Sequence, residues 1–109
     1  MATPSSPLRR PNDPALLLLT SLASGPKHGY ALSKDVEAFA GVTLSPGTLY
    51  GALTRLEEQG LIEPVAGDAR RRPYRITGSG VVALREVTNE MRRLAKVSAT
   101  RLRLVGGVA

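Results

Sequence analysis

Residues 44–65 read LSPGTLYGALTRLEEQGLIEPV, and this stretch contains the start, the buried face and the end of one helix. Ser45 is a typical helix N-cap residue, and Pro46 suits the first helical turn. Gly60 is the expected residue just past the helix end. Leucines recur at i, i+4 and i+7 between these ends, at Leu49, Leu53 and Leu56. The pattern predicts a helix from about 45 to 59 that packs its leucine face inward.

The face opposite these leucines is small and polar. At about 100° per residue it carries Gly47, Gly51, Thr54, Arg55 and Glu58, with Thr48 and Tyr50 at its flanks. Small and polar residues allow a helix to approach base edges closely in the DNA major groove. We therefore predict DNA contacts from this helix at Ser45, Gly47, Thr48, Tyr50, Thr54 and Arg55.

Three of these residues also have an ordinary structural interpretation. Ser45 is expected to cap the helix and to present neighbouring backbone N–H groups to a phosphate rather than to read a base. Tyr50 either donates its hydroxyl to a phosphate or packs against the preceding helix, and its position away from the leucine stripe favours the phosphate. Arg55 either contacts a guanine or a phosphate, or pairs within the helix with Glu58 or Gln59.

Two short segments after this helix, 61–65 and 72–76, are typical of β-strands joined by a turn at 67–70. Each segment contains a proline, which confines it to an edge ribbon. The turn leads into three consecutive arginines, Arg70, Arg71 and Arg72. A charge run is usually a solvated surface, but on a projecting turn beside a DNA-reading helix it favours a phosphate or minor-groove contact.

Two helices are predicted before residue 44. The first covers about 13–24, and its apolar residues point in nearly all directions: Leu16, Leu17, Leu18, Leu19 and Leu22. In so small a chain, we expect a second molecule to cover the far side of this helix. The second helix covers about 30–39, with apolar positions at Tyr30, Leu32, Val36 and Phe39. Lys27, just before it, is a candidate phosphate contact, whereas His28 has no partner whose spacing suggests catalysis.

The longest helix is predicted from Gly78 to Leu104. Its apolar residues follow a heptad-like 3,4,3 spacing at Leu84, Val87, Met91 and Leu94. We predict that these residues form a dimer contact together with Leu16, Leu17 and Leu18. The chain then divides into a flexible arm (1–12), a winged helix-turn-helix (13–77), a dimerisation helix (78–105) and a tail (106–109). The predicted fold class is mainly α with a small β-hairpin wing.

Composition narrows the function of this 109-residue chain. Its net charge of +6 favours a polyanionic partner. The absence of Cys and the single His exclude thiolate and multi-histidine metal sites, so no cofactor is expected. Residues 85–103 hold six cationic and two acidic residues, a net of +4, whereas residues 27–75 hold seven and six, a net of +1. No apolar run approaches the ~20 residues of a membrane span, and we expect a cytoplasmic protein.

Several segments resemble the PadR family of bacterial transcriptional regulators. They are Gly-Pro-x-His-Gly-Tyr-x-Leu at 25–32, Leu-Ser-Pro-Gly-Thr-Leu-Tyr at 44–50, Leu-x-x-Leu-Glu-x-x-Gly-Leu-Ile at 53–62 and Arg-x-Thr-x-x-Gly at 75–80. The resemblance implies a homodimeric winged-helix repressor that binds a palindromic operator and dimerises through its first and last helices. Gly51 departs from the family's frequent proline, and Gly78-Ser79 replaces a frequent acidic residue. The chain lacks the tryptophan with which some members stack planar drugs.

Several hypotheses about function remain open at this point. The main one is a sequence-specific, homodimeric DNA-binding repressor. A small aromatic effector held between the first and last helices is a second hypothesis, separate from the first. The alternatives are a winged helix that binds proteins, or a general DNA binder without a ligand; an acidic or apolar outer face on the third helix would favour the former. An enzyme is disfavoured, because no acid–base pair occurs at a fixed spacing.

Replacement of Arg70, Arg71 and Arg72 together by alanine is expected to flatten the salt dependence of DNA affinity. Each phosphate contact contributes a slope of about −0.9 to a plot of log affinity against log salt. Fluorescence anisotropy titrations of a labelled duplex at four salt concentrations measure this slope. An unchanged slope would contradict the assignment of these arginines to DNA.

Overall fold

The computed structural model describes residues 12–66 and 72–105. It confirms the fold class, mainly helical with a two-stranded antiparallel ribbon. The elements are α1 (Pro14–Leu22), α2 (Gly29–Ala40), α3 (Pro46–Glu58), β1 (Ile62–Pro64), β2 (Tyr74–Ile76) and α4 (Gly78–Arg103). We call the ribbon of β1 and β2 the wing. The predicted arm (apart from Asn12), the ribbon tip with Arg70 and Arg71, and residues 106–109 lie outside the described residues.

Helix α1 forms the centre of the molecule. The Asp13 side chain caps it by accepting a hydrogen bond from the Ala15 N–H at 2.9 Å. Elements α2, α3, β2 and α4 all contact α1. As a result its apolar side chains are at most 5% exposed in the single chain, namely Leu16, Leu17, Leu18, Leu19 and Leu22. Four elements of the same chain therefore cover α1, and a second molecule is not needed to bury these leucines. Their part in a dimer contact stays a prediction.

Helix α2 packs with a narrower face than the sequence predicted. Leu32 and Val36 are buried, but Tyr30 is 70% exposed and Phe39 is also largely exposed. Tyr30 stands about 200° from Leu32 around the helix, so it lies on the opposite side from the core. One polar contact ties α2 to α1, because the buried Ser21 hydroxyl donates to Asp35 Oδ2 at 2.6 Å.

The wing is anchored at its base by a backbone contact that the sequence analysis missed. In the ribbon Ile62 pairs with Ile76 and Glu63 pairs with Arg75. The Lys27 N–H donates to the Tyr74 carbonyl at 3.1 Å, and the Tyr74 N–H donates to the Lys27 carbonyl at 2.9 Å. The loop between α1 and α2 thereby adds a one-residue third strand. This pairing fixes the wing to the loop that precedes α2.

Helix α4 starts against the end of α3. The Thr77 hydroxyl accepts from the Gly80 N–H at 3.1 Å and donates to the Gly60 carbonyl at 2.6 Å. Gly80 itself lies directly against the Leu61 carbonyl, and a Cβ there would also stand 2.7 Å from Ile76 Cγ1. Only glycine therefore allows α4 to dock this closely on the wing base.

The two halves of α4 have different surroundings. In the first half Val87 is buried, and Leu84 and Met91 pack partly against the core. In the second half the apolar side chains are exposed: Leu94, Val97 and Leu102, followed by Leu104 and Val105 beyond the helix end. The second half projects from the winged helix and gives the molecule a length of 58 Å against 30 and 25 Å. Among the described residues, no helix is both long and apolar enough to cross a membrane.

Gly80→Ala is expected to destabilise the fold by about 1–3 kcal/mol, because the added methyl group meets backbone that cannot move aside. Gly78→Ala, two residues earlier, is the matched control, since nothing lies within 4 Å of its Cβ position. Urea unfolding followed by circular dichroism measures both changes. Equal stabilities for the two variants would contradict the close docking of α4.

Candidate nucleic-acid interface

The N-terminal end of α3 is open and exposed. Ser45 caps it as predicted: its hydroxyl accepts from the Thr48 N–H at 3.2 Å and donates to Thr48 Oγ1 at 3.0 Å. Both residues are exposed, and nothing lies within 4 Å of the Cβ position of Gly47. The first N–H groups of a helix carry partial positive charge and attract anions. This end of α3 is thus suited to a backbone phosphate.

The outer face of α3 carries one cationic side chain, Arg55. Arg55 is exposed, and within the described residues it forms no ion pair with Glu58 or any other carboxylate. A methyl group on Gly51 would lie 3.7 Å from Arg55 Nη1, so the guanidinium folds back along the outer face over this glycine. The Thr54 hydroxyl donates to the Tyr50 carbonyl at 2.9 Å, which leaves its lone pairs exposed. The intrahelical ion pair considered for Arg55 is absent here.

Tyr50 connects α3 with the start of α2. A Cβ on Gly29 would stand 2.6 Å from the Tyr50 hydroxyl oxygen, so the phenol lies against the first residue of α2. This contact is the packing alternative considered from the sequence, and it explains the glycine of the His-Gly-Tyr segment. Tyr50 is nevertheless mostly exposed, and a shallow cleft of about 210 Å³ separates it from Tyr30. Its phosphate contact stays a prediction.

Tyr30 belongs to this surface, although it counts among the apolar positions of α2 in the sequence. It lies at the edge of the cleft, and Lys34 Nζ stands 5.9 Å from the centre of its ring. The helical period would have identified it, because it lies opposite the buried Leu32 and Val36. Its exposure adds an aromatic ring beside the open end of α3.

Lys27 is not free for the phosphate contact predicted from the sequence. Its ammonium donates to the Ser21 carbonyl at 2.5 Å, to the Ser24 hydroxyl at 2.6 Å and to the Gly25 carbonyl at 3.3 Å. An ammonium group has three N–H donors, so these acceptors use all of them. The positive charge instead satisfies carbonyl groups at the C-terminal end of α1, where the helix dipole is negative.

Two arginines of the wing lie within the described residues. Arg72 is exposed, whereas Arg75 pairs with Glu63 across the ribbon, with Arg75 Nε 2.6 Å from Glu63 Oε2. Of the predicted arginine run, Arg70 and Arg71 lie outside the described residues. The described part of the chain contains no group of three His, Cys, Asp or Glu side chains that would bind a metal ion.

The geometry matches that of a known family. Residues 18–86 match the model of the Transcriptional regulator PadR-like family, which covers more than half of the chain. The chain belongs to the PadR family. Proteins of this family are transcriptional regulators and not enzymes.

Individual relatives agree with this membership. The chain is 37% identical over 84 residues to a transcriptional regulator of Mycobacterium tuberculosis. The aligned region covers 74% of this chain and 78% of that protein. It is 43% identical over 86 residues to a 37.1 kDa protein of transposon TN4556 from Streptomyces fradiae. That match covers 79% of this chain but only 25% of the transposon protein, so the chain spans a quarter of that relative.

Solved structures of PadR proteins share the fold. A PadR family transcription regulator from Clostridium difficile superposes with a TM-score of 0.73 at 28% identity, covering 82% of this chain and 97% of that chain. A PadR family transcriptional regulator from Eggerthella lenta gives a TM-score of 0.67 at 34% identity, covering 81% and 80%. The likeness extends over nearly the whole length of the first of these proteins.

Lys27→Met is expected to lower the stability of this PadR protein by about 1–2 kcal/mol, because it removes charged hydrogen bonds to α1. The salt dependence of DNA binding should not change. Lys34→Met is the matched control for stability, since its ammonium is exposed, pairs with Glu37 at 3.8 Å and lies 5.9 Å from the centre of the Tyr30 ring. Thermal unfolding and anisotropy titrations measure the two effects. A flatter salt dependence of DNA affinity for Lys27→Met, at unchanged stability, would instead support a contact between Lys27 and a phosphate.

Proposed function

We propose that this PadR protein is a sequence-specific transcriptional repressor that binds a palindromic DNA operator as a homodimer in the cytoplasm. The observation that carries this proposal is the outer face of α3, which is exposed, small and polar, with Arg55 lying unpaired along it within the described residues. A protein-interaction module would instead need an acidic or apolar face there. The family membership supports the same choice.

The described residues divide into those that read bases and those that hold the backbone. Gly47 and Gly51 let α3 approach the base edges, and Thr54 and Arg55 supply hydrogen-bond donors and acceptors toward them. Ser45 and Thr48 place the open helix end at a phosphate, and Tyr50 adds its hydroxyl beside it. Arg72, with Arg70 and Arg71 that lie outside the described residues, would extend the phosphate contacts to the flanking DNA backbone.

The projecting half of α4 supports dimerisation. Leu94 is 68% exposed, and the apolar residues that follow it are also uncovered in the single chain. A groove of about 300 Å³ beside α4, lined by Leu16, Leu17, Phe39, Leu84 and Met91, offers a place for the projecting half of a second copy. Leu18 and Val87 are buried beneath this surface and support it from within one chain. The dimer would set two α3 helices about 34 Å apart, in successive major grooves.

A small-molecule effector is a second proposal, supported by a cavity of about 540 Å³ between the end of α1, β2 and α4. Its lining combines apolar side chains, such as Ile76 and Leu84, with polar and cationic ones: Thr88, Asn89, Arg85 and Arg92. A thermal-shift screen with planar aromatic compounds tests the effector, and a flat response to all of them would count against it.

The experiment that tests the main proposal compares the DNA upstream of the protein's own gene with a scrambled duplex at physiological salt. Preferential binding of about a thousandfold or more is expected of a specific regulator. Arg55→Ala should weaken promoter binding by about 1–3 kcal/mol and reduce the preference. Arg93→Ala, which removes the same charge from α4, should leave the preference intact.

Three outcomes of this experiment would contradict the proposal, each in a different respect. Equal and strongly salt-dependent binding to both duplexes would contradict sequence specificity and favour a general DNA binder. Binding to neither duplex would favour the protein-interaction module. An equal loss of preference for both arginine variants would contradict the placement of Arg55 in the reading face.

A further inference from the structure

Four cationic residues of α4 form a straight line along the helix. Arg85, Arg92, Lys96 and Arg103 follow one another at intervals of 7, 4 and 7 residues. At about 100° per residue these intervals place all four within about 20° of one line. The line is about 27 Å long at 1.5 Å per residue. We call these four residues the basic stripe.

Acidic residues of α4 are kept away from the basic stripe. Glu86 and Glu90 stand about 100° and 140° around the helix from Arg85. The neutral Asn89 lies close to the line, between Arg85 and Arg92. All four stripe residues are exposed, and within the described residues none of them forms an ion pair. The stripe is therefore a continuous cationic surface rather than one side of an ion-pair network.

The basic stripe stays exposed in the dimer proposed above. The apolar residues Leu84, Met91, Leu94 and Leu102 lie about 100–180° from the stripe around α4. A second copy that packs on this apolar side leaves the stripe facing solvent. Dimer formation therefore does not use the four charges, and it doubles their number per particle.

The net positive charge of the chain is concentrated on α4 and not on the reading module. Residues 27–75, which include the reading helix and the wing, have a net charge of only +1, whereas residues 85–103 have +4. Most of the affinity of proteins for DNA comes from neutralised phosphates. The reading module has local cations for phosphate contacts, Arg55 and the wing arginines, but little net positive charge. The positive charge that a DNA-binding protein of this size needs is concentrated on α4.

The stripe begins next to the wing. Arg85 and Arg92 line the same cavity as Ile76, the last residue of β2. The wing carries the exposed Arg72 and leads to Arg70 and Arg71. The start of the stripe and the wing base therefore belong to one surface. A duplex that contacts the wing base on this side also reaches the start of the stripe.

We propose that the basic stripe is a second DNA-backbone surface, which binds flanking duplex without reading its sequence. This inference rests on the proposed function, since it extends the same DNA complex. The stripe length corresponds to about 8 base pairs at 3.4 Å each. An anionic membrane is the less suitable partner, because the apolar side of α4 has none of the aromatic residues typical of interfacial helices.

The test measures the salt dependence of binding to a labelled 30-base-pair duplex of arbitrary sequence, so no operator is needed. The stripe variant is Arg92→Gln with Lys96→Gln. The matched control is Arg93→Gln with Arg101→Gln, which removes two charges that stand about 80° and 160° around the same helix from Arg85. Circular dichroism and sedimentation confirm that fold and assembly are unchanged in both variants.

The stripe variant is expected to reduce the log–log salt slope by up to about 1.8 per protomer, at about 0.9 for each lost contact. The control should change it much less. On promoter DNA the stripe variant should bind more weakly at an unchanged preference over a scrambled duplex. If the wild-type protein showed no preference for promoter over scrambled duplex, the proposed function would be refuted. The stripe proposal would stand, because it is tested by the salt slope and not by the preference.

Three results would overturn the inference. An unchanged slope for the stripe variant would show that the four residues are solvated charges. Equal slope changes in stripe and control variants would show an effect of net charge alone. An unchanged slope together with stripe-dependent binding of the wild-type protein to phosphatidylglycerol vesicles would assign the stripe to a membrane surface.

Discussion

The rest of the structure depends on the burial of α1 from every side. Its five leucines, Leu16 to Leu19 and Leu22, are covered by α2, α3, β2 and α4 together. Full burial of each leucine contributes about 1.5–3 kcal/mol, whereas the net stability of a small domain is about 5–15 kcal/mol. Among the described elements, α1 packs extensively against the largest number of neighbours. The relative positions of α3, the wing and α4 are thus set by one short helix.

Close backbone contacts refine this arrangement at the places where function is proposed. Gly80 lets α4 begin against the Leu61 carbonyl, and the pairing of Lys27 with Tyr74 fixes the wing base. Gly29 lets the Tyr50 ring lie on the start of α2. Each contact leaves the outer face of α3 free. The same packing that holds α3 by its leucines therefore leaves its small polar side and Arg55 exposed to solvent.

The sequence predicted the order of the elements, the caps of α3 and the division of α3 into a buried and an exposed face. These features are local, because caps and helical spacing operate within a few residues. The sequence did not predict features that depend on contacts between elements distant along the chain. The leucines of α1 indicate burial on all sides but not whether the same chain provides it. The Lys27 ammonium has three acceptors only because the loop after α1 folds back over the helix end. Tyr30 counts among the apolar positions of α2, although its helical position lies opposite Leu32.

The central claim is that the outer face of α3 contacts DNA. Amide chemical shifts in a ¹⁵N–¹H spectrum, recorded while promoter duplex is added to the labelled protein, test it residue by residue. The account predicts the largest changes at Gly47, Thr48, Gly51 and Arg55, further changes along the wing, and small ones in α1. Unchanged α3 signals, with the largest shifts elsewhere in the chain, would contradict it.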